Sequence, residues 1–184
     1  MKILELFCGL GGWSKGFHDI FPNAEFYGVD IKDYGYPYNF IKADLNDWEP
    51  KEKYDIILAS PPCTQFSLVV RNTATQHYSE RIGLQLIYRT FYLIEKLKPK
   101  FWVLENVRGL SEFIDKPKDM VRYRRAKDGK TVYLWGNFPN LDFFDEDIFY
   151  AAKKKGFNQI SSQIRAEIPL ALSRQMAKKI KEKL

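Results

Sequence analysis

Apolar residues occur in four short runs, and each run stops at a glycine-rich or polar turn. The runs are residues 2–7, 25–29, 54–59 and 101–104. Their length and near-continuous hydrophobicity predict buried strands. Between the last two runs, residues 76–97 have apolar side chains at mostly helical spacing and predict a helix. Strands that alternate with helices predict a mostly parallel α/β sheet, whose ligands lie at the carboxyl ends of the strands.

The pattern changes after residue 110. Residues 121–125 and 131–135 are rich in β-forming side chains and flank Asp128-Gly129. An Asp-Gly pair between two such stretches predicts a late antiparallel hairpin. A final helix is predicted to start near Pro169, because proline is favoured in the first turn of a helix. With helices on both faces of the sheet, the pattern predicts one α/β domain.

Composition agrees with a single domain, since 184 residues with 45% hydrophobic side chains can build one core. Two cysteines, Cys8 and Cys63, do not make a disulfide scaffold. We find no apolar run of about 18 residues and no leader-like segment after Met1. A soluble, cytoplasmic protein without a membrane partner is therefore expected.

The formal net charge of +6 is concentrated near the C-terminus. Residues 151–184 contain nine Lys and Arg against two Glu, whereas residues 1–150 are nearly neutral. Such a tail suits a polyanion, because phosphate contacts supply affinity that does not depend on sequence. A solvated, lysine-rich helix explains the same charges, and charge alone favours that simpler interpretation.

A glycine-rich turn at residues 8–12 follows the first predicted strand and leads into a helix. Glycines there allow a tight turn and a close approach of backbone N–H groups to a ligand, although similar turns also serve only to reverse the chain. Asp30 ends the second strand, where a carboxylate can accept hydrogen bonds from a ribose. Asp44 is expected beside the same crevice. A helix cap or a turn residue is the alternative for either aspartate.

Two further side chains are predicted at the same edge of the sheet. Cys63 follows the third strand in a loop that Pro61 and Pro62 make rigid, as a positioned nucleophile requires. The alternative is an inert buried thiol, but the polar, proline-bounded setting favours reactivity. Glu105 ends the fourth strand, where desolvation favours a carboxyl group that holds a proton. A helix N-terminal acid is the alternative for Glu105.

These segments resemble a known family in order and spacing. Residues 7–12, the Pro62-Cys63 pair with Ser67 four residues after the cysteine, and residues 105–107 are similar to the signature motifs of the cytosine-C5 DNA methyltransferases. A weaker similarity continues through residues 122–124 and the helix after Ile168. The resemblance implies a Rossmann-like class I methyltransferase fold in which residues 1–184 form one catalytic domain.

The resemblance also implies a cofactor, S-adenosylmethionine, with S-adenosylhomocysteine as its product. Asp30 would bind the ribose, Ile31 would pack against the adenine, and Asp44 would receive the adenine amino group. The other implied cofactor-binding residues lie on the glycine turn and on the loop before Cys63: Phe7, Gly9, Gly11, Gly12 and Pro62.

For catalysis, the resemblance implies that Cys63 attacks carbon 6 of a cytosine in DNA and that Glu105 holds ring nitrogen 3. Arg124, together with Arg122, would orient the base. The same chemistry on RNA is an alternative. A non-catalytic, cofactor-binding regulatory homologue is another, although such a protein would need neither Cys63 nor Glu105.

The chain departs from the family pattern in three places. Met120 replaces a glutamine, residues 165–167 replace Gly-Asn-Ser, and only about thirty residues after Pro139 stand where a target-recognition domain is usual. Without that domain we expect binding through phosphates, with little or very short sequence preference, or a separate recognition subunit. The family flips its target base out of the duplex, and the loop 68–79, with Arg71, Asn72, Gln76 and His77, is expected to close over that base. The stretch 153–155, Arg165 and Arg174 are expected to contact the phosphates.

Overall fold

A computed structural model describes residues 1–66, 76–124, 129–141 and 167–184. These residues form seven strands and three α-helices, with short 3₁₀ turns after the fourth and fifth strands. In chain order the elements are β1 (Lys2–Leu6), α1 (Gly12–Ile20), β2 (Glu25–Asp30), β3 (Asn39–Lys42), β4 (Ile56–Ala59), a 3₁₀ turn (Thr64–Phe66), α2 (Gln76–Leu97), β5 (Phe101–Asn106), a 3₁₀ turn (Arg108–Glu112), β6 (Asp119–Arg124), β7 (Gly129–Asn137) and α3 (Leu170–Lys181).

The seven strands form one sheet in the order β3-β2-β1-β4-β5-β7-β6. The first five positions are parallel, and β7 is antiparallel to both of its neighbours. The strand order reverses direction at β1 and β4, which is where a crevice for ligands opens at the carboxyl edge of such sheets. The predicted mostly parallel sheet with a late antiparallel hairpin is therefore confirmed.

Helices cover both faces of the sheet, as predicted. On one face α1 and α3 bury a core that includes Ile3, Phe17 and Met176. On the other face α2 covers Ile57 with Leu93, and the same face continues into a smaller cluster around the 3₁₀ turns. Strands buried on both faces explain why the sequence shows continuous apolar runs rather than alternation.

Close packing of α1 against α3 depends on two glycines. A Cβ added at Gly16 would lie 2.4 Å from the side-chain oxygen of Ser173, and one added at Gly12 would lie 2.6 Å from the backbone nitrogen of Ile168. No side chain other than hydrogen fits at those distances. The C-terminal helix is consequently seated beside the first turn of α1, which directly follows the glycine turn.

Most predicted elements are confirmed with small shifts at their ends. The third run begins as a strand at residue 56 rather than 54, and the fourth continues as β5 to Asn106. The hairpin strands are confirmed, and α3 begins directly after Pro169. Strand β3 was not predicted from the sequence. It has only four residues and lies at the edge of the sheet, so its hydrophobic pattern is too short to indicate a strand.

The hairpin extends past the carboxyl edge of the sheet. β7 pairs with β5 through residues 133–137 and with β6 through residues 129–134, so Tyr133 lies opposite both Asn106 and Met120. Arg124 is four residues beyond Met120 along β6, a distance of about 13 Å. The backbone at Arg124 therefore lies beyond the edge at which β5 ends.

Several predicted features lie outside the described residues. They are Asp128 of the predicted Asp-Gly turn, most of the loop after Cys63, the stretch 153–155 and Arg165. Within the described segments, no helix is long and apolar enough to cross a bilayer.

Candidate active site

The turn after β1 has an unusual backbone. Phe7, Gly9 and Gly11 have φ angles of 57°, 48° and 77°, all in the left-handed region. A non-glycine residue such as Phe7 rarely adopts this conformation, and such strain is concentrated at functional sites. Open space surrounds the position of a Cβ at Gly9. The turn therefore exposes backbone at the carboxyl edge of the sheet, as the sequence predicted.

Asp30 holds this turn in place. One carboxylate oxygen accepts a hydrogen bond from the backbone N–H of Gly9 over 3.0 Å, and the other lies 3.4 Å from the N–H of Lys32. Asp30 is only partly buried, so it remains accessible to solvent. It connects the end of β2 to the turn that follows β1.

Asp44 and Ile31 are both exposed at the same edge. A carboxylate oxygen of Asp44 accepts from the N–H of Asn46 over 2.9 Å, and its backbone oxygen accepts from Asp47 and Trp48. Asp44 thus begins a compact turn, which is the structural role considered from sequence. Because Asp44 stays exposed, that role is compatible with contact to a ligand.

Glu5 is a buried acid that the sequence interpretation missed. Its two carboxylate oxygens accept hydrogen bonds from the backbone N–H groups of Trp13 and Ser14, at 3.2 and 2.9 Å. Burial raises the pKa of Glu5 to about 7, and the hydrogen bonds from Ser14 and Trp13 only partly oppose this effect. The signal available in the sequence was a single acid inside the apolar run at residues 2–7.

Tyr36 completes the support of the glycine turn. Its hydroxyl lies 2.6 Å from the hydroxyl of Ser14, and burial raises its pKa above the ordinary value. Its ring packs against Gly28 and Gly11 so closely that an added Cβ would lie 2.6 Å from the ring at Gly28 and 3.2 Å at Gly11. Nothing in the local sequence pattern distinguishes this tyrosine from the other aromatic residues of segment 34–38.

Two hydrogen bonds anchor the loop that leads from β4 to Cys63. The indole N–H of Trp13 donates to the hydroxyl of Ser60 over 3.1 Å. The side-chain amide of Asn106 donates to the carbonyl of Pro61 over 3.1 Å. Trp13 and Asn106 are fully buried, so the first turn of α1 and the end of β5 both fix the loop.

Glu105 lies near the end of β5, and Cys63 follows the neighbouring parallel strand β4. β4 pairs with β5 such that Ala59 lies opposite Leu104. Glu105 is therefore the next residue beyond that pair, and it is buried, with 5% of its surface exposed. Cys63 is half-buried and precedes the 3₁₀ turn that packs against Gly83 of α2. The structure brings both predicted reactive residues to one edge.

The two cysteines occupy different environments. Cys8 is buried, and burial together with the nearby carboxylate of Glu5 raises the pKa of its thiol well above the ordinary value. Cys63 is partly accessible on its loop, next to exposed Pro62. A thiol that stays protonated is a poor nucleophile, so the chemistry favours Cys63.

The segment before α3 contacts the first turn of α1. Glu167 forms an ion pair with Lys15 at 2.7 Å, and the backbone of Ile168 packs on Gly12. This part of the chain thus supports the first turn of α1 although its residues depart from the family pattern. Arg174 forms an ion pair with Asp19 at 2.6 Å, which neutralises part of the basic tail.

The sheet order and this edge together define a class I methyltransferase fold. A methyltransferase of Entamoeba histolytica has the same fold, with a TM-score of 0.51 and 14% identity over 77% of this chain and 54% of that one. The chain belongs to the C-5 cytosine-specific DNA methylase family, whose model matches residues 1–120. The family resemblance inferred from the motifs is confirmed, and the family is S-adenosylmethionine-dependent.

Two relatives illustrate the extent of the similarity. M.MJ0563P of Methanocaldococcus jannaschii is 31% identical over 144 residues, which cover 65% of this chain and 46% of the relative. The type II methyltransferase M.FnuDI of Fusobacterium nucleatum is 26% identical over an alignment that covers all of this chain and 55% of the relative. The chain thus spans about half the length of these two proteins.

Proposed function

We propose that this protein transfers a methyl group from S-adenosylmethionine to carbon 5 of cytosine in DNA, through a covalent adduct with Cys63. One observation carries the proposal: the Asn106–Pro61 hydrogen bond joins the end of β5, next to buried Glu105, to the loop that presents Cys63. The glycine turn lies at the same edge of the sheet, so that cofactor and base can meet there.

The residues at the edge fit the cofactor. The left-handed turn presents its backbone in open space at Gly9, as a charged methionine portion requires. Asp30 stands at the end of β2 for the ribose hydroxyls, and Asp44 stands exposed at the end of β3 for the adenine amino group. Gly12 begins α1 directly after the turn, and Ile31 and Pro62 are exposed where the chain leaves β2 and β4. S-adenosylmethionine, when bound, supplies an electrophilic methyl group.

The chain's own residues perform the remaining steps. The thiolate of Cys63 adds to carbon 6 of the ring, and a sulfur–carbon bond forms. Glu105 holds a proton at ring nitrogen 3 and stabilises the charge that develops there. Carbon 5 then has the character of an enamine carbon and accepts the methyl group. Loss of the proton from carbon 5 restores the double bond and expels the Cys63 sulfur.

The placement of Arg124 supports a role near the base. β6 and β7 extend past the end of β5, so the backbone at Arg124 and Arg122 stands on the side from which DNA would approach. We propose that residues 1–184 act as one catalytic domain, with DNA as the partner and with sequence recognition either very short or supplied by a separate subunit.

The test is transfer of a tritiated methyl group to duplex DNA, single-stranded DNA and RNA, followed by mass spectrometry of the nucleosides. We expect 5-methylcytosine from DNA, and we expect a Glu105→Gln variant to lose at least about a hundredfold in rate. Transfer of the tritiated methyl group to RNA alone would mean that RNA, and not DNA, is the substrate. Binding of S-adenosylhomocysteine without transfer to any of the three would overturn the proposal in favour of a regulatory homologue.

A further inference from the structure

Arg89, near the middle of α2, makes contacts outside its own helix that neither the fold nor the proposed reaction explains. Its side chain is only 16% exposed. Its Nε donates to the carbonyl of Leu45 over 2.9 Å, and its Nη2 donates to the carbonyl of Trp48 over 2.6 Å. Both acceptors belong to the turn that begins at Asp44.

The turn that begins at Asp44 is anchored by Leu45, which is buried in the core, and by short hydrogen bonds within the turn. It consists of one helix-like turn in which the carbonyl of Asp44 accepts from Asp47 and Trp48 at 3.1 and 2.9 Å. The carbonyls at the end of a single turn have no partner inside it. Arg89 supplies a planar pair of donors to these carbonyls, a geometry that the ammonium group of lysine does not reproduce.

Neighbouring charges hold Arg89 in this position. The same Nη2 forms an ion pair with Glu49 at 2.6 Å, and the guanidinium lies 4.6 Å from the ring centre of Tyr92. Lys96 also forms an ion pair with Glu49, and hydrogen bonds from Lys96 and Arg89 lower the pKa of that carboxyl. Both cations contact Glu49, whereas the contacts to the carbonyls of Leu45 and Trp48 come from Arg89.

We infer that Arg89 is a positioning residue for the cofactor: it holds the turn after β3 in the shape in which Asp44 receives the adenine amino group. This inference rests on the proposed function, which places the adenine at Asp44. The same helix packs through Gly83 against the 3₁₀ turn that follows Cys63. α2 therefore contacts both the adenine end and the nucleophile end of the site.

The test compares two ligands by calorimetry, S-adenosylhomocysteine and S-inosylhomocysteine, which has an oxygen in place of the adenine amino group. The unchanged protein should prefer the adenosyl ligand by about tenfold, equivalent to about 1.4 kcal/mol. Arg89→Met should remove most of this preference and leave affinity for the inosyl ligand within about twofold. Arg89→Lys should retain only part of the preference, because one carbonyl loses its donor.

Lys96→Met is the matched control, since it removes an ion pair to Glu49 and leaves both carbonyl contacts in place. It should keep the full preference for the adenosyl ligand. If Arg89→Met also keeps that preference, or weakens both ligands equally, the inference is wrong. If Arg89→Met does not fold, the same criterion applies to Arg89→Lys.

Asp44→Ala, which removes the acceptor, separates this failure from failure of the proposed function. Removal of the preference in Asp44→Ala, with its retention in Arg89→Met, overturns the role of Arg89 alone. Retention of the preference in Asp44→Ala shows that the adenine lies elsewhere, and Arg89 then has no adenine-binding turn to position.

Discussion

The buried amide of Asn106 donates a hydrogen bond of 3.1 Å to the carbonyl of Pro61, two residues before Cys63. Asn106 is the last residue of β5 and follows Glu105 directly. The bond therefore fixes the relative position of the two proposed catalytic groups. Small misplacements of reacting groups cost large factors in rate, so this contact should matter more for reactivity than for cofactor binding.

Asn106→Ala should slow formation of the covalent adduct with DNA that contains 5-fluorocytosine by at least about tenfold. Affinity for S-adenosylhomocysteine, measured by calorimetry, should change little. Asn137→Ala is the control, because Asn137 also donates its amide to a backbone carbonyl, that of Lys100, at the opposite edge of the sheet. Equal adduct rates in the two variants would contradict a positioning role.

The different environments of the two cysteines lead to opposite expectations. Cys63→Ser should abolish turnover and the denaturation-resistant adduct, because a serine hydroxyl is a much weaker nucleophile. Cys8→Ala should remain active and lose only a buried sulfur contact, at a cost of roughly 1–2 kcal/mol in stability. Gel analysis of the adduct measures both variants. An adduct that survives Cys63→Ser would show that another residue attacks the base.

Asp30 should contribute to cofactor affinity in two ways, through the ribose and through the Gly9 N–H that it holds. Asp30→Ala should weaken binding of S-adenosylhomocysteine by roughly 1–3 kcal/mol. Asp115→Ala changes an exposed acid outside the glycine turn and should leave the affinity unchanged. Titration calorimetry at constant ionic strength gives both values, and undiminished binding by Asp30→Ala would place the ribose elsewhere.

Glu5 should make stability depend on pH. Its pKa is raised from 4.5 to about 7 in the folded protein, so the folded state binds more protons than the unfolded state between these values. The free energy of unfolding should thus fall as the pH rises from 4.5 to 7, by on the order of 3 kcal/mol from this group. Urea unfolding across the range should show this decrease.

Glu5→Gln has no ionisable group at this position, so the difference in slope between the variant and the unchanged protein isolates Glu5. Asp47→Asn replaces an exposed carboxylate and should keep the slope of the unchanged protein. A slope that is identical in all three proteins would mean that Glu5 is solvated more than its burial indicates.

DNA binding should be dominated by phosphates. Affinity should fall steeply with salt, and bisulfite sequencing of a methylated random library should show modified cytosines in many contexts or in a motif of about two to four bases. A long, strictly read site would show that residues after Pro139 or a separate subunit read sequence.

Arg174→Ala should change the salt dependence of DNA binding less than the loss of one phosphate contact would, because Arg174 is already paired with Asp19.

The sequence alone predicted a mostly parallel sheet with a late hairpin, and it placed Cys63 and Glu105 where two of the strands end. These follow from local signals: continuous apolar runs, a glycine turn after β1, and polar residues where strands end. It also indicated the family, because the motifs are contiguous stretches whose order does not depend on knowing the fold. Strand β3 was not predicted, because it is defined by its pairing with β2 and not by a hydrophobic pattern in its own four residues.

Only the tertiary structure decided which residues support the site. Glu5 contacts α1, Tyr36 contacts Ser14, Trp13 contacts Ser60, and Arg89 contacts a turn more than forty residues earlier. Each contact either joins segments that are distant in sequence or involves a backbone group. Backbone groups are the same in nearly every residue, so the sequence does not show which of them a side chain will contact. A hydropathy pattern records which side chains avoid water, but it does not record which buried polar atoms find each other. That pairing is set by the packing of the whole chain.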